Sequence, residues 1–488
     1  MSFPHLPQEL VDEIIDRVAQ SHDNEDTLRA CARTSRSWLP RSRNYLWATV
    51  TLMEPRTVRA FANRVTSPKQ IVVDSVSLPP VGPMVRHLRL GVPMSFQEMR
   101  RRRNYGFSFS TINDIPTSAL PNLVALSVAE LPELWLHAQS MRGLAQSFAS
   151  VTALRIHKGL LLPDAVSILW GGFPRLESVH FEYDAAHYAR DRLGVRVLGR
   201  VEPKARLPPS VRELGLGVPD EEVVEWLVRD DGLARDQLRA LHILFQPLDD
   251  LRALRAMLHL CGGALEELSV GYADPPFVLP LGLPPLPRAD FVHSIMEVFE
   301  SLPLGENTAL RALRVDGCEA IEHLEPPRGE LYGWIPVLLD QIRSERVEKV
   351  TLAFRHVRRE DPATLPWLDW GAIDRALASP PLDRVGRVII AVEQSEIARE
   401  ALHARIGELL PLVALRGALC VRCDKELLGP EDRVQVLAAS APRYMTILDC
   451  VDDALSPRQA AADYADTLAE LEAFQLLAPL TDGDEERA

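Results

Sequence analysis

The chain has six cysteines in 488 residues, no run of eighteen apolar residues and no excess of basic charge. Six mostly isolated cysteines exclude a disulfide framework and fit a reducing compartment. Cys420 and Cys423 form the one CxxC pair. With no second pair or ligand-spaced histidines nearby, they read as thiols flanking a strand, and no metal site is expected. Without a long apolar run no transmembrane helix is expected. The start MSFPHLPQELVDEIID lacks the basic and apolar regions of a signal peptide, so the expected location is cytoplasmic, nuclear or both. There is no GxxxxGK(S/T) loop, no GxGxxG after a strand, no HExxH and no GxSxG elbow. No catalytic residue, enzyme activity or cofactor is therefore expected.

The formal charge of −14 also excludes a basic footprint for nucleic acid over the whole chain. From Asp449 to Ala488 eleven acidic residues face only Arg458 and Arg487, which accounts for −9 of that charge. The run Arg100–Arg103 reads as a nuclear-localisation signal, a phosphate-contacting cluster or a solvated loop. What is present is ordinary globular material, 47% hydrophobic and 25% charged. That suffices for two or three compact domains or one elongated repeat array.

In LPQELVDEIIDRV, Leu10, Ile14 and Val18 fall four apart with Ile15 beside them, which predicts an amphipathic helix with Pro7 near its first turn. After the polar QSHDNED, Asn24 or Asp26 can cap a second helix carrying Leu28, Cys31, Ala32 and Ser35 on its narrow face. Pro40 opens a third, which ends at Leu46 and Trp47. Three helices in fifty residues bury little surface, so such a unit calls for a partner.

The ordered set Leu6, Pro7, Glu9, Leu10, Ile14, Ile15, Leu28, Cys31, Ser35, Arg36, Trp38, Leu46 and Trp47 resembles the F-box. The resemblance implies docking on the Skp adaptor of a cullin-RING ubiquitin ligase, with Leu6, Pro7, Leu10, Ile14, Ile15, Leu28, Cys31, Trp38, Leu46 and Trp47 as adaptor-binding residues. Trp38 and Trp47 would fill the join between helices and adaptor or, alternatively, the core of the helical unit. Arg29, Arg33, Arg36, Arg41 and Arg43 would form a polar surround facing an acidic adaptor.

Past residue 50 a phrase of the form LxxLxL recurs eleven times: VDSVSL, VRHLRL, LVALSV, VTALRI, LESVHF, VRELGL, LRALHI, LEELSV, LRALRV, VEKVTL and VGRVII. From Val85 to Val385 the steps vary between 25 and 45 residues. Each phrase ends in strand-like alternation. Helical spacing lies between phrases, in segments starting near Asp220, Asp249, Asp290, Gly333, Asp369 and Ser395. A strand plus a helix per unit predicts an α/β fold, an irregular leucine-rich-repeat-like solenoid with parallel strands on the concave face and helices on the convex face. The Asn or Cys expected after the last apolar position occurs only as Cys318, so the usual asparagine ladder is missing. An ordinary α/β sheet with long crossovers is the alternative.

The predicted organisation is an F-box over 1–50, the divergent array over 51–448 with a Pro-rich loop at about 274–288, and an acidic capping helix and disordered tail over 449–488. This layout resembles fungal F-box proteins with degenerate leucine-rich repeats. The resemblance implies the substrate-recognition subunit of an SCF-type ubiquitin ligase; a non-degradative scaffold that binds the adaptor is the alternative. A hydrolase or nucleotide-binding protein with an unrecognised motif is a third reading. Variable positions of the phrases would contact substrate, with Arg155, His157, Arg239, His242, Arg311 and Arg314 as candidates. Their neighbours carry both signs of charge, which favours a protein partner over nucleic acid or membrane.

Overall fold

Every phrase from Val85 onward does the same thing in space: its first apolar residue closes a turn and its last residues enter a strand of a parallel sheet. The computed structural model describes residues 6–20, 24–35, 37–52, 55–66, 71–73, 76–78, 80–91, 115–129, 138–157, 171–182, 206–217, 227–228, 233–245, 251–272, 296, 299–316, 332–357, 368–395 and 399–423. They fall into two compact units, one within Met1–Glu133 and one within Leu134–Val434. Arg100–Arg103, the Pro-rich segment 274–288 and the acidic segment 449–488 lie outside the described residues.

The first unit begins with helices α1 (Gln8–Gln20), α2 (Asn24–Thr34) and α3 (Leu39–Leu46). There follow β1 (Thr49–Leu52), α4 (Pro55–Thr66), β2 (Ile71–Val73), β3 (Val76–Leu78), β4 (His87–Leu90) and β5 (Ala125–Ala129). Strands β1, β4 and β5 pair in parallel, with Leu52 beside Leu90 and Leu90 beside Val128. Thr49 and Val50, which the sequence reading assigned to the helical module, are thus already sheet. The phrase VDSVSL is a second correction. It straddles β2 and β3, which pair antiparallel, because the polar Asp-Ser pair separates two short β-branched and apolar runs in the manner of a hairpin.

The second unit contains α5 (Ala138–Ser147), β6 (Ala153–His157), β7 (Ser178–Glu182), β8 (Glu213–Gly217), β9 (Ala240–Phe245), α6 (Leu251–Cys261), β10 (Glu267–Tyr272) and β11 (Ala312–Asp316). It continues with α7 (Trp334–Asp340), β12 (Lys349–Val357), α8 (Trp370–Ala378), β13 (Arg387–Ser395), α9 (Arg399–Leu409), α10 (Pro411–Leu415) and β14 (Leu419–Cys423). Strands β6 to β14 lie side by side in chain order, all parallel. One unbroken row runs through Leu154, Val179, Leu214, Leu241, Leu268, Leu313, Val350, Val388 and Leu419. Cys420 and Cys423 lie within β14, where thiols flanking a strand were expected.

In the ten phrases from Val85 to Val385 the first, fourth and sixth residues are at most 5% exposed. Burying a side chain of this size contributes roughly 1.5–3 kcal/mol, so each repeat adds three anchors to a shared core. The third and fifth residues point to the opposite face, which carries Arg, His, Glu and Ser and is only partly covered. A doubly wound α/β sheet would bury both faces and shuffle its strand order. Monotonic order and one covered face identify the leucine-rich-repeat-like arrangement. On the other face Ser269, Thr351, Ile389 and Ala391 are buried as well, the last two in a small apolar cluster toward the C-terminal end.

The missing asparagine ladder is replaced by polar side chains placed just before the strands. Asn122 Nδ2 donates to the Pro83 carbonyl at 2.6 Å, and Ser210 Oγ donates to that of Leu176 at 2.6 Å. Gln237 Nε2 donates to Pro208 and Val211. Asn307 Nδ2 donates to Leu258 and Gly262, and Ser344 Oγ to Thr308 and Leu310. Each ties one turn to the backbone of the preceding repeat, satisfying carbonyls that lack a strand or helix partner.

The helices stack along the sheet on the covered side. Asp369 caps α8 as the sequence predicts, its Oδ1 accepting from the Ala372 amide at 2.8 Å. In α7 the Trp334 ring stacks on Phe299 at 4.2 Å. The helix expected from Ser395 starts instead at Arg399, because β13 continues pairing with β12 as far as Ser395 beside Val357. The segments expected to be helical from Asp220 and Asp290 lie largely outside the described residues. Among those residues, no helix is long and apolar enough to cross a membrane.

Candidate functional site

The N-terminal helices close around Val11, Ile15, Leu28 and Cys31, with Val18, Ala19, Trp38, Tyr45 and Leu46 packed against them. Within α1 the residues turned inward are Val11, Ile15 and Val18, while Leu10 and Ile14 face outward. Of the ten expected adaptor-binding residues, Ile15, Leu28, Cys31 and Trp47 are internal. Trp38 and Leu46 are half-buried. Leu6, Pro7, Leu10 and Ile14 are exposed. Leu10 and Ile14, four apart on one side of the first helix, and Leu6 just before it are 46%, 38% and 53% exposed. Such a stripe of large aliphatic side chains faces water on a module that has otherwise satisfied its own core.

The expected basic surround is largely spent inside the module. Arg41 grips Asp16 with two hydrogen bonds of 2.7 Å, and the Tyr45 hydroxyl donates to the same carboxylate at 2.9 Å. Arg29 pairs with Glu25 and Asp26 on its own helix, and Arg43 is buried, its guanidinium pushed down to about 10 by burial. The Arg41 hydrogen bond holds the Asp16 carboxyl below its ordinary value. A depressed carboxylate stabilises the fold above its unfolded pKa, near 4, and that contribution is lost as pH falls through the lower folded value. The pair is about one-third exposed, so Asp16→Asn should cost only about 1 kcal/mol at neutral pH. It should also remove this part of the loss of helix stability in acid, checked by circular dichroism melts from pH 7 downward.

In the second unit, the uncovered sheet face brings together three side chains from consecutive strands. His180 on β7, Gly215 on β8 and His242 on β9 occupy one row, and Glu213 sits two residues before Gly215 on the same face. Nε2 of His180 lies 2.9 Å, and Nε2 of His242 3.4 Å, from the same oxygen, Glu213 Oε1. The two rings are 5.4 Å apart and tilted by 31°. Hydrogen bonding from His180 first, then from His242, holds the Glu213 carboxyl far below the usual carboxylate range. Gly215 makes room for this: a Cβ there would stand 2.1 Å from His180 Nδ1. The convergence of His180 and Glu213 with His242 was not expected from the sequence, where they are separated by about thirty residues each.

Of the other expected substrate contacts, Arg155 is registered beside His180 across β6 and β7, whereas Arg239, Arg311 and Arg314 pair elsewhere. Arg239 pairs with Glu266, Arg311 with Glu348 at 2.6 Å, and Arg314 with Asp316 at 2.6 Å. Arg239 and Arg311 line a depression of about 840 Å³ at the entry edge of the strands, together with Glu266, Glu348, Arg346 and Arg384. Arg155 is half-buried on β6, and the His157 side chain lies outside the described residues. The Arg239–Glu266 and Arg311–Glu348 pairs thus join residues one place before neighbouring strands, Arg314–Asp316 lies within β11, and both signs of charge are represented.

No protein-family model matches the chain, and no curated protein matches it. Among solved structures it is similar to the leucine-rich repeat-containing protein LegL7 from Legionella pneumophila, at 12% identity and a TM-score of 0.40, over 74% of this chain and 98% of that one. It is also similar to the Rad7 and Elc1 complex in yeast, at 12% identity and a TM-score of 0.34, over 87% of this chain and 91% of that one. At such values neither likeness carries functional weight, and the repeat fold rests on the strand register.

Proposed function

We propose that this chain is the substrate-recognition subunit of an SCF-type cullin-RING ubiquitin ligase, docking on a Skp adaptor through its first helix and holding a protein substrate on the uncovered sheet face. The observation that carries the reading is the exposed aliphatic stripe of Leu6, Leu10 and Ile14, beside Pro7, at positions where the F-box resemblance requires contacts. An apolar stripe of this kind gains most when a partner removes it from water. The paired charges of the sheet face suit a polar protein surface, which would exchange partners with them on binding. In this reading the chain performs no chemistry; it raises the effective concentration of a substrate beside the ligase.

The test is co-expression of the chain with a Skp adaptor and a cullin, followed by size-exclusion chromatography. A stable ternary complex, and cullin-dependent ubiquitylation of proteins held by the chain, are the expected results. A chain that elutes alone overturns the docking, and a ternary complex that ubiquitylates none of its bound proteins overturns substrate delivery.

A further inference from the structure

The geometry points to a zinc-type metal site on the uncovered sheet face, formed by Nε2 of His180, Nε2 of His242 and a carboxylate oxygen of Glu213. It is independent of the adaptor-docking reading, and either can fail alone.

The donor set is the first reason. Two imidazoles and one carboxylate match the three-protein-ligand pattern of open zinc sites and suit a borderline divalent ion better than calcium or magnesium, which favour oxygen alone. Spacing is the second. The three ligand atoms all lie within 4.8 Å of one another. With zinc bonds of about 2.0–2.2 Å, tetrahedral angles place ligand atoms roughly 3.3 Å apart. The two nitrogen-to-oxygen separations of 2.9 and 3.4 Å lie on either side of that value. An ion would enter by drawing the two imidazoles together around the Glu213 oxygen.

Rigidity is the third reason. All three ligands stand on paired parallel strands, whose register fixes their Cα atoms. The row His180, Gly215, His242 puts two imidazoles on either side of a residue without a side chain, so both rings lean over the middle strand toward Glu213. The side chains are 16%, 31% and 33% exposed for His180, Glu213 and His242. The ligand atoms are thus reachable from solvent, which leaves a further coordination position for water.

Zinc chloride titrated calorimetrically into the metal-free full-length chain supplies the test, beside a His180→Gln/His242→Gln variant checked for wild-type thermal unfolding. The wild type should take up one zinc equivalent more than the variant. Gly215→Ala, which keeps every ligand but displaces the His180 ring, should weaken that equivalent by at least about 10-fold. Equal stoichiometry in wild type and a folded double variant overturns the site. Should the double variant fail to fold, X-ray absorption at the zinc edge of the wild type decides. Two imidazoles with oxygen around the ion support the site, whereas a sulfur shell, which would locate the zinc at cysteines such as Cys420, overturns it.

Discussion

Replacing Leu10 and Ile14 together by aspartate should weaken binding of a Skp adaptor by more than about 100-fold, which corresponds to about 3 kcal/mol, while leaving the helical content of the chain unchanged. Both side chains stand in water, at 46% and 38% exposure, and neither supports the core formed by Val11, Ile15, Leu28 and Cys31. The only local cost is helix propensity, about half a kcal/mol per aspartate. At an interface each would instead leave a charge desolvated where an aliphatic anchor belongs. Ile15→Ala is the contrasting variant. Its side chain is fully buried in the module, so it should lose binding through loss of helical stability, costing about 2–5 kcal/mol. Pull-down titrations with circular dichroism separate the two. An aspartate double variant that binds like wild type would remove the stripe from the docking surface.

Asn307→Ala should destabilise the repeat unit by about 3 kcal/mol, the larger part of it from carbonyls left without donors. Asn307 is fully buried, and its Nδ2 donates to Gly262 at 2.7 Å and to Leu258 at 3.2 Å. Those carbonyls lie at the C-terminal end of α6, where helix oxygens have no partner within the helix. One side chain in the turn before β11 thus caps the helix of the preceding repeat. Asn307→Asp, which exchanges the donor for an acceptor, should be worse than alanine. Urea denaturation followed by tryptophan fluorescence measures both, and a loss below about 1 kcal/mol in Asn307→Ala would mean that water reaches the two carbonyls.

Much of the fold is written in the phrases themselves. Leu238, Leu241 and Ile243 repeat at the spacing that puts three side chains under a strand, and all are buried. Strands β1 and β14 escaped that reading because TVTL and LCVRC carry only part of the phrase. The polar ladder was missed for a different reason. The sequence pattern places its asparagine after the strand, whereas Asn307, Gln237 and Ser344 act before it, at offsets that differ from turn to turn. In the helical module, apolar spacing predicted the first helix but could not separate Leu10 and Ile14 from Ile15, since all three are apolar and the helix phase decides. The histidine cluster was legible in retrospect. His180 and His242 take the fifth position of LESVHF and LRALHI, and VRELGL between them offers Glu213 at its third position and Gly215 at its fifth. Three phrases had to be laid in register before residues some thirty apart became neighbours.

Because each strand of β6 to β14 pairs only with the strands before and after it in the chain, every step of sheet growth closes one loop of modest length. From Val85 to Val385 the repeat steps range from 25 to 45 residues, and the closure entropy of a flexible loop grows only with the logarithm of its length. The longest step therefore costs about 0.5 kcal/mol more to close than the shortest. Segments between strands can lengthen with little thermodynamic penalty as long as the six residues of each phrase keep their register. A chain organised in this way can gain new surface at its connections while its folding route, one neighbouring pair at a time, stays the same.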